Sequence, residues 1–194
     1  MDIAYRRLPS IFVLAVLLTF GLSTAWAKGP LFDTHGVSLF YGHSDYTAIG
    51  PSPVDDYEWT TVNYVLGKRL TPVFSLEGRI GGGYLKTENY GDSLTAEVRL
   101  LMDVHYKFLF FKIGGGVAHI FDDDNLPGLA ESPVHSIISG SAGFRFSFER
   151  TGKPPVALTL GYGVEHMSAP FKGGEDGDDG WNTGGVITSL IWPI

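Results

Sequence analysis

The chain has 194 residues, 44% of them hydrophobic and 13% aromatic, with 14 Lys+Arg against 21 Asp+Glu and no cysteine. The missing thiol excludes a disulfide scaffold, a cysteine nucleophile and a Cys-ligated zinc site, and the hydrophobic content excludes a disordered, solvated chain. A net charge of −7 argues against nucleic acid as a partner, because phosphate binding needs clustered positive charge.

Arg6-Arg7 precedes an apolar run over 11–22, and Ala25-Trp26-Ala27 supplies a small-x-small site. Basic end, short apolar stretch and Ala-x-Ala are the layout of a secretory signal peptide. The run is too short for the ~20 residues a spanning helix needs. Residues 1–27 are therefore expected to be a signal peptide and 28–194 an outer-membrane β-barrel domain exported by a bacterium. Of the 14 basic and 21 acidic residues, loss of Asp2, Arg6 and Arg7 leaves 12 and 20, a mature charge of −8.

The rest of the chain reads in period two. Phe74, Leu76, Ile80 and Tyr84 alternate with Ser75, Glu77 and Arg79; Leu94, Ala96, Val98, Leu100, Met102, Val104 and Tyr106 alternate with Thr95, Glu97, Arg99, Asp103, His105 and Lys107. One face is apolar and the other carries charge of both signs, which is strand periodicity. Strands are expected near 36–44, 57–69, 73–87, 93–106, 108–121, 134–149, 155–168 and 182–193. Many exceed the ~5–6 residues usual in globular proteins and the 9–11 or so that cross a bilayer when tilted. Short connections (70–72, Lys107, 151–154) alternate with longer ones rich in Gly, Pro and acid (45–56, 122–133, 169–181), with 89–92 a shorter member of that set. That is the plan of an eight-stranded antiparallel transmembrane β-barrel. Its long loops face outward from the cell and both chain ends lie on the short-turn rim.

Aromatics near strand ends (Tyr41, Tyr57, Trp59, Tyr84, Tyr106, Phe108, Phe110, Phe146, Phe148, Trp181, Trp192) are expected to form interfacial girdles. Glu77, Arg79, Glu97, Arg99, Asp103, His105 and Arg145 are expected to fill the lumen as ion pairs, leaving no pore. Gly81–Gly83 and Gly114–Gly116 have no helix after them, so they are not phosphate loops; they read as bulges or close approaches on the wall, or on the outside as a groove for acyl chains. His35, His43, His105, His119 and His135 show no ligand spacing. Asp122-Asp123-Asp124 and the acidic run at 175–180 lack EF-hand spacing. They read as solvated loop charge, with divalent cations bridging to lipopolysaccharide phosphates as the alternative.

The seventh strand departs from the face rule. Val156, Leu158, Leu160, Tyr162 and Val164 form its apolar face, which then ends in His166 and Ser168. Same-face neighbours lie about 7 Å apart at Cα, within side-chain reach. An imidazole that takes a serine proton is a recurring way to make serine nucleophilic. The alternative is that both residues only begin the following loop.

Tyr162-Gly163-Val164-Glu165-His166-Met167-Ser168, a Gly-rich loop and Trp181-Asn182-Thr183-Gly184 carry a resemblance to a known family. With Leu76-Glu77-Gly78, Lys112–Gly116, 140–148 and the C-terminal block, the resemblance covers most of the chain after the leader. The chain resembles the PagL-like lipid A 3-O-deacylases, eight-stranded outer-membrane barrels with a serine-histidine site on the lipid-facing exterior and the pattern His-x-Ser-Asn, loop, Asn-x-Gly. The resemblance implies Ser168 as nucleophile and His166 as general base, an acyl ester of lipid A as substrate, and no cofactor. Ala169 and Pro170 stand where the pattern has Asn after the serine, and Gly185-Val186 stand where an orienting acid follows Asn-x-Gly. The third residue is open among Glu175, Asp176, Asp178 and Asp179, while Glu165 is expected to face the lumen. The partners implied are lipopolysaccharide and outer-membrane lipids, and the apolar outer wall leaves a homodimer open. Two other readings stand beside hydrolysis: a structural or adhesive barrel without activity, and an acyltransferase. The polar, filled lumen argues against an acyltransferase with an interior acyl pocket.

Overall fold

The computed structural model describes residues 30–46, 56–121, 126, 134–168 and 180–194. The expected leader, the acidic segments at 122–124 and 175–179, and Ala169 and Pro170 lie outside these residues. Eight strands form among the described residues: β1 (Thr34–His43), β2 (Tyr57–Arg69), β3 (Phe74–Thr87), β4 (Ser93–Tyr106), β5 (Leu109–Ile120), β6 (Val134–Arg150), β7 (Lys153–Ser168) and β8 (Trp181–Pro193). Each pairs antiparallel with the next, and β1 pairs with β8, so the sheet closes into a barrel. Closure leaves no unpaired edge. The expected strands match these to within one or two residues at each end.

Local chemistry sets the tight end. Lys107 takes a left-handed φ of 55° in the turn between β4 and β5, and Gly152 one of 68° between β6 and β7, the region glycine enters without strain. At the opposite, loop end Glu88–Asp92 closes β3 to β4 with Gly91 at φ 86°. There Thr87 Oγ1 donates to the Gly91 carbonyl at 2.7 Å and accepts from the Tyr90 amide at 3.1 Å. The start of β1 and the end of β8 meet at the turn end, where the Asp33 amide donates to the Gly67 carbonyl and the Ile194 amide donates to the Asp33 carbonyl.

Asp33 is the side-chain tie of that seam. Its carboxylate accepts from Lys68 Nζ at 3.0 Å and from the Arg69 amide at 2.8 Å. Partial burial pushes its pKa up, but these hydrogen bonds and the Lys68 and Arg69 charges outweigh burial and hold it below the usual carboxylate value. The tie therefore contributes stability above the ordinary carboxylate pKa and loses it as pH falls through the lowered value. Asp33→Asn is expected to cost about 0.2–1 kcal/mol at pH 7, as half-exposed pairs do. At a pH below the lowered pKa it should cost nothing; urea midpoints of the refolded barrel at both pH values check this.

Alternation sorts the side chains. Leu94, Leu100, Ile138, Leu160, Val186 and Leu190 point outward and are exposed, while Thr95, Glu97, Arg99, Thr159, Glu165 and Ser189 point inward and are buried. In the middle of the lumen Arg99 bridges Glu97 (2.6 Å) and Glu165 (2.8 Å), and Asn63 Nδ2 donates to Glu97 at 2.5 Å. Arg79 and Lys112 both pair with Glu77. Nearer the turn end Arg145 and His105 flank Asp103 at 3.6 and 3.9 Å, beside a small cavity of about 30 Å³. The expected lumen of ion pairs is present, with Lys112 and Glu165 as further members.

One expectation needs correction, and one pair of alternatives is resolved. Tyr57, Trp59, Phe110 and Trp181 belong to no outer girdle: they point inward and are buried. Together with Phe40, Leu85, Met167 and neighbouring side chains they form an apolar plug. The Tyr57 and Trp181 rings lie 4.6 Å apart, and Tyr57 Oη donates to the Asn182 carbonyl at 2.6 Å. The lumen is thus charged at its middle and apolar toward the loop end. The glycine triplets are close approaches rather than bulges, since pairing runs through both without a register shift. A Cβ at Gly116 would sit 2.0 Å from the Val98 carbonyl oxygen, so neighbouring backbone occupies the space of a side chain.

Candidate active site

β7 and β8 form the hairpin that carries the site, and β6 flanks it. The ladder sets Ile138 opposite His166 and His166 opposite Asn182, with Ser136 opposite Ser168. Inward Glu165 and Met167 are buried, so the even positions His166 and Ser168 occupy the outer wall as the alternation predicts. All four polar side chains are half-buried there. They sit at the loop end, in a wall that Ile138, Tyr162 and Val186 make apolar.

The imidazole is held on two sides. Its Nδ1 lies 2.8 Å from Asn182 Oδ1. An amide oxygen only accepts, so Nδ1 carries the proton and Nε2 is the basic nitrogen. Gly180 packs under the other edge of the ring: a Cβ there would lie 2.3 Å from Cε1 and 2.6 Å from Nε2. Asn182 thus takes the orienting place for which the sequence offered only carboxylates. Val186 points outward opposite Tyr162, four residues along β8 from Asn182, and Glu165 faces the lumen against Arg99. The other carboxylates considered, at 175, 176, 178 and 179, lie outside the described residues.

The hydrogen bonds of Ser168 run across to β6. The Ser168 hydroxyl is paired with Ser136 Oγ at 3.0 Å, and Ser136 Oγ donates to the Ser168 carbonyl at 3.2 Å. Ser168 and His166 stand side by side on one strand, each tied to a different neighbour. Rotation about the Ser168 Cα–Cβ bond, between staggered wells, is what changes its partner. Ser136 was invisible to motif reading because it comes from a strand 32 residues upstream.

Row by row beneath the site, Gly140 faces Val164 and Val164 faces Gly184, with Ala142, Tyr162 and Val186 in the next outward row. Gly140 and Gly184 thus flank Val164 without side chains in the row next to that of His166. The glycine triplet on β3 lies away from the site, while Gly115 of the β5 triplet stands in the same row as His166, opposite Ile138. At the loop end of β1, His43, Asp45 and Asp56 bring ligand atoms within 4.8 Å of one another, an arrangement that could hold a cation and that sequence spacing did not reveal. Both aspartates are exposed, as rim acids commonly are.

No family model matches the chain, and no curated protein matches it.

Proposed function

We propose that this barrel resides in a bacterial outer membrane and hydrolyses an acyl ester of lipid A in the outer leaflet, with Ser168 as nucleophile and His166 as general base. The observation that carries the reading is the Asn182–His166 pair beside Ser168 on the apolar outer wall. Polar side chains are costly against lipid and gather where they have work to do. The apolar exterior and paired backbone suit a bilayer, and the 1–27 leader pattern suits export. The resemblance of 162–168 and 181–184 to the PagL-like deacylases points to the 3-O-linked chain.

In this mechanism Ser168 turns from Ser136 toward the imidazole and gives its proton to Nε2 as Oγ attacks the ester carbonyl. The tetrahedral intermediate collapses, the sugar oxygen leaves with the proton from the imidazolium, and the acyl group stays on Ser168. Water, deprotonated by His166, then releases the fatty acid and restores the serine. No cofactor enters these steps. In this reading the acyl chain lies on the outside of the barrel along the row of Gly140, Val164 and Gly184. An acyltransferase with an interior pocket is disfavoured, because Tyr57, Trp59, Leu85, Met167 and Trp181 pack that part of the lumen.

The Ser136–Ser168 pair favours a second reading, a structural or adhesive barrel in which Ser168 only satisfies its neighbour. A mass spectrum of lipid A after incubation with refolded protein decides between them. Loss of one hydroxyacyl chain with wild type and none with Ser168→Ala is expected. Unchanged lipid A with wild type, while a known deacylase works in the same assay, would establish the non-enzymatic reading.

A further inference from the structure

We propose that Ser136 is the side-chain donor to the oxyanion formed at Ser168; this rests on the hydrolase reading above. Attack by Ser168 Oγ turns the ester carbonyl oxygen into an anion, which needs a donor at hydrogen-bond distance in a site without bulk water. The residue after Ser168 is alanine, whose methyl group donates nothing. Ser136 stands directly opposite Ser168 in the ladder, its oxygen 3.0 Å from the attacking oxygen.

The resting hydrogen bonds already have the required polarity. Ser136 Oγ–H donates to the Ser168 carbonyl at 3.2 Å, so its oxygen accepts the Ser168 proton. Once Ser168 passes that proton to His166, Ser136 no longer serves as its acceptor. Its own O–H is still there to give. The oxyanion grows on the carbon bonded to Ser168 Oγ, beside the space Ser136 Oγ faces. One turn about the Ser136 Cα–Cβ bond swings its proton from the Ser168 carbonyl to that oxygen. No bond to Ser136 forms or breaks covalently. In the resting state the same hydroxyl holds the nucleophile away from the base.

The test uses Ser136→Ala and Ser136→Thr in the refolded full barrel, with lipid A turnover and the rate of Ser168 labelling by an alkyl fluorophosphonate, whose phosphoryl oxygen imitates the oxyanion. Ser136→Ala is expected to lower kcat and the labelling rate by about 10²–10³, the usual loss for one such donor, with KM unchanged. Ser136→Thr, which keeps the hydroxyl, should recover at least a tenth of wild-type rate. Wild-type rates in Ser136→Ala, with Ser168→Ala inactive, would overturn the role of Ser136 and leave the hydrolase standing. Equal losses in both variants, or a rise in KM alone, would reduce Ser136 to packing and overturn it as well. A wild-type barrel that neither turns over lipid A nor takes the label would remove the hydrolase reading and this inference with it.

Discussion

Replacing Arg99 with methionine is expected to destabilise the folded barrel by about 3–5 kcal/mol, the cost of stripping one partner from a buried ion network. The guanidinium reaches Glu97 at 2.6 Å, Glu165 at 2.8 Å and Ser139 Oγ at 3.0 Å, and lies 5.3 Å from the Trp59 ring centre. All three charged side chains are almost wholly enclosed. Without Arg99 two carboxylates remain in the lumen with their cation gone. Adding Glu97→Gln and Glu165→Gln to Arg99→Met should return most of the loss, because the penalty is uncompensated charge rather than lost volume. Urea titration of the barrel in lipid vesicles reads both. A shift below about 1 kcal/mol for Arg99→Met would mean that water reaches the network, since pairs open to solvent are worth no more than that.

On the activity side, His166→Ala and Ser168→Ala should each lower lipid A hydrolysis by about 10⁴ or more, and the double variant should fall little further, since groups that act as a unit are not additive. A sharper variant is Gly180→Ala, which removes neither side chain. Its new Cβ would need the space of the imidazole edge, 2.3 Å from Cε1, and would crowd the Met167 carbonyl oxygen at 2.9 Å. The ring is the softer of the two, being the end of a side chain rather than backbone, so it moves. A displacement near 1 Å costs on the order of 10² in rate. The Gly180→Ala barrel should therefore fold, with an unchanged urea midpoint, and hydrolyse about a hundredfold more slowly. Full activity would show that the imidazole position at Gly180 is not the working one.

The period-two pattern carried the fold a long way. Glu77, Arg79, Glu97 and Arg99 alternate so cleanly with apolar residues that strand, face and burial follow together. The pattern weakens near the loop end of β2, where Tyr57-Glu58-Trp59-Thr60 reads as aromatic-polar-aromatic-polar. There the polar Glu58 and Thr60 point outward and the aromatics inward, the reverse of mid-barrel. Counting back from inward Asn63 resolves the face; aromatic position along the strand does not. At the site, the outward turn of His166 and Ser168 and the inward turn of Glu165 were legible for the same reason. Their partners were not. Asn182 stood in the motif, but its pairing with His166 depends on a register set across a long loop, and Ser136 meets Ser168 at the far end of the long β6–β7 hairpin, whose register shifts between Phe148 and Arg150. Contacts of that kind belong to the ladder, which no single stretch of sequence spells out.

Glu165 and His166 are consecutive residues that point to opposite sides of the same strand. The carboxylate of one is gripped by Arg99 from β4, while the imidazole of the other faces out beside Ser168. A wall one strand thick gives a surface reagent no depth of protein behind it, so its backing is whatever lies across the backbone. Here that backing is a charged strut spanning the bore. Tyr57, whose hydroxyl props the Asn182 carbonyl from within, is a second strut under the residue that aims the ring. The chemistry proposed for the exterior is thus expected to respond to changes made in the interior, at residues that no outer-leaflet lipid would touch.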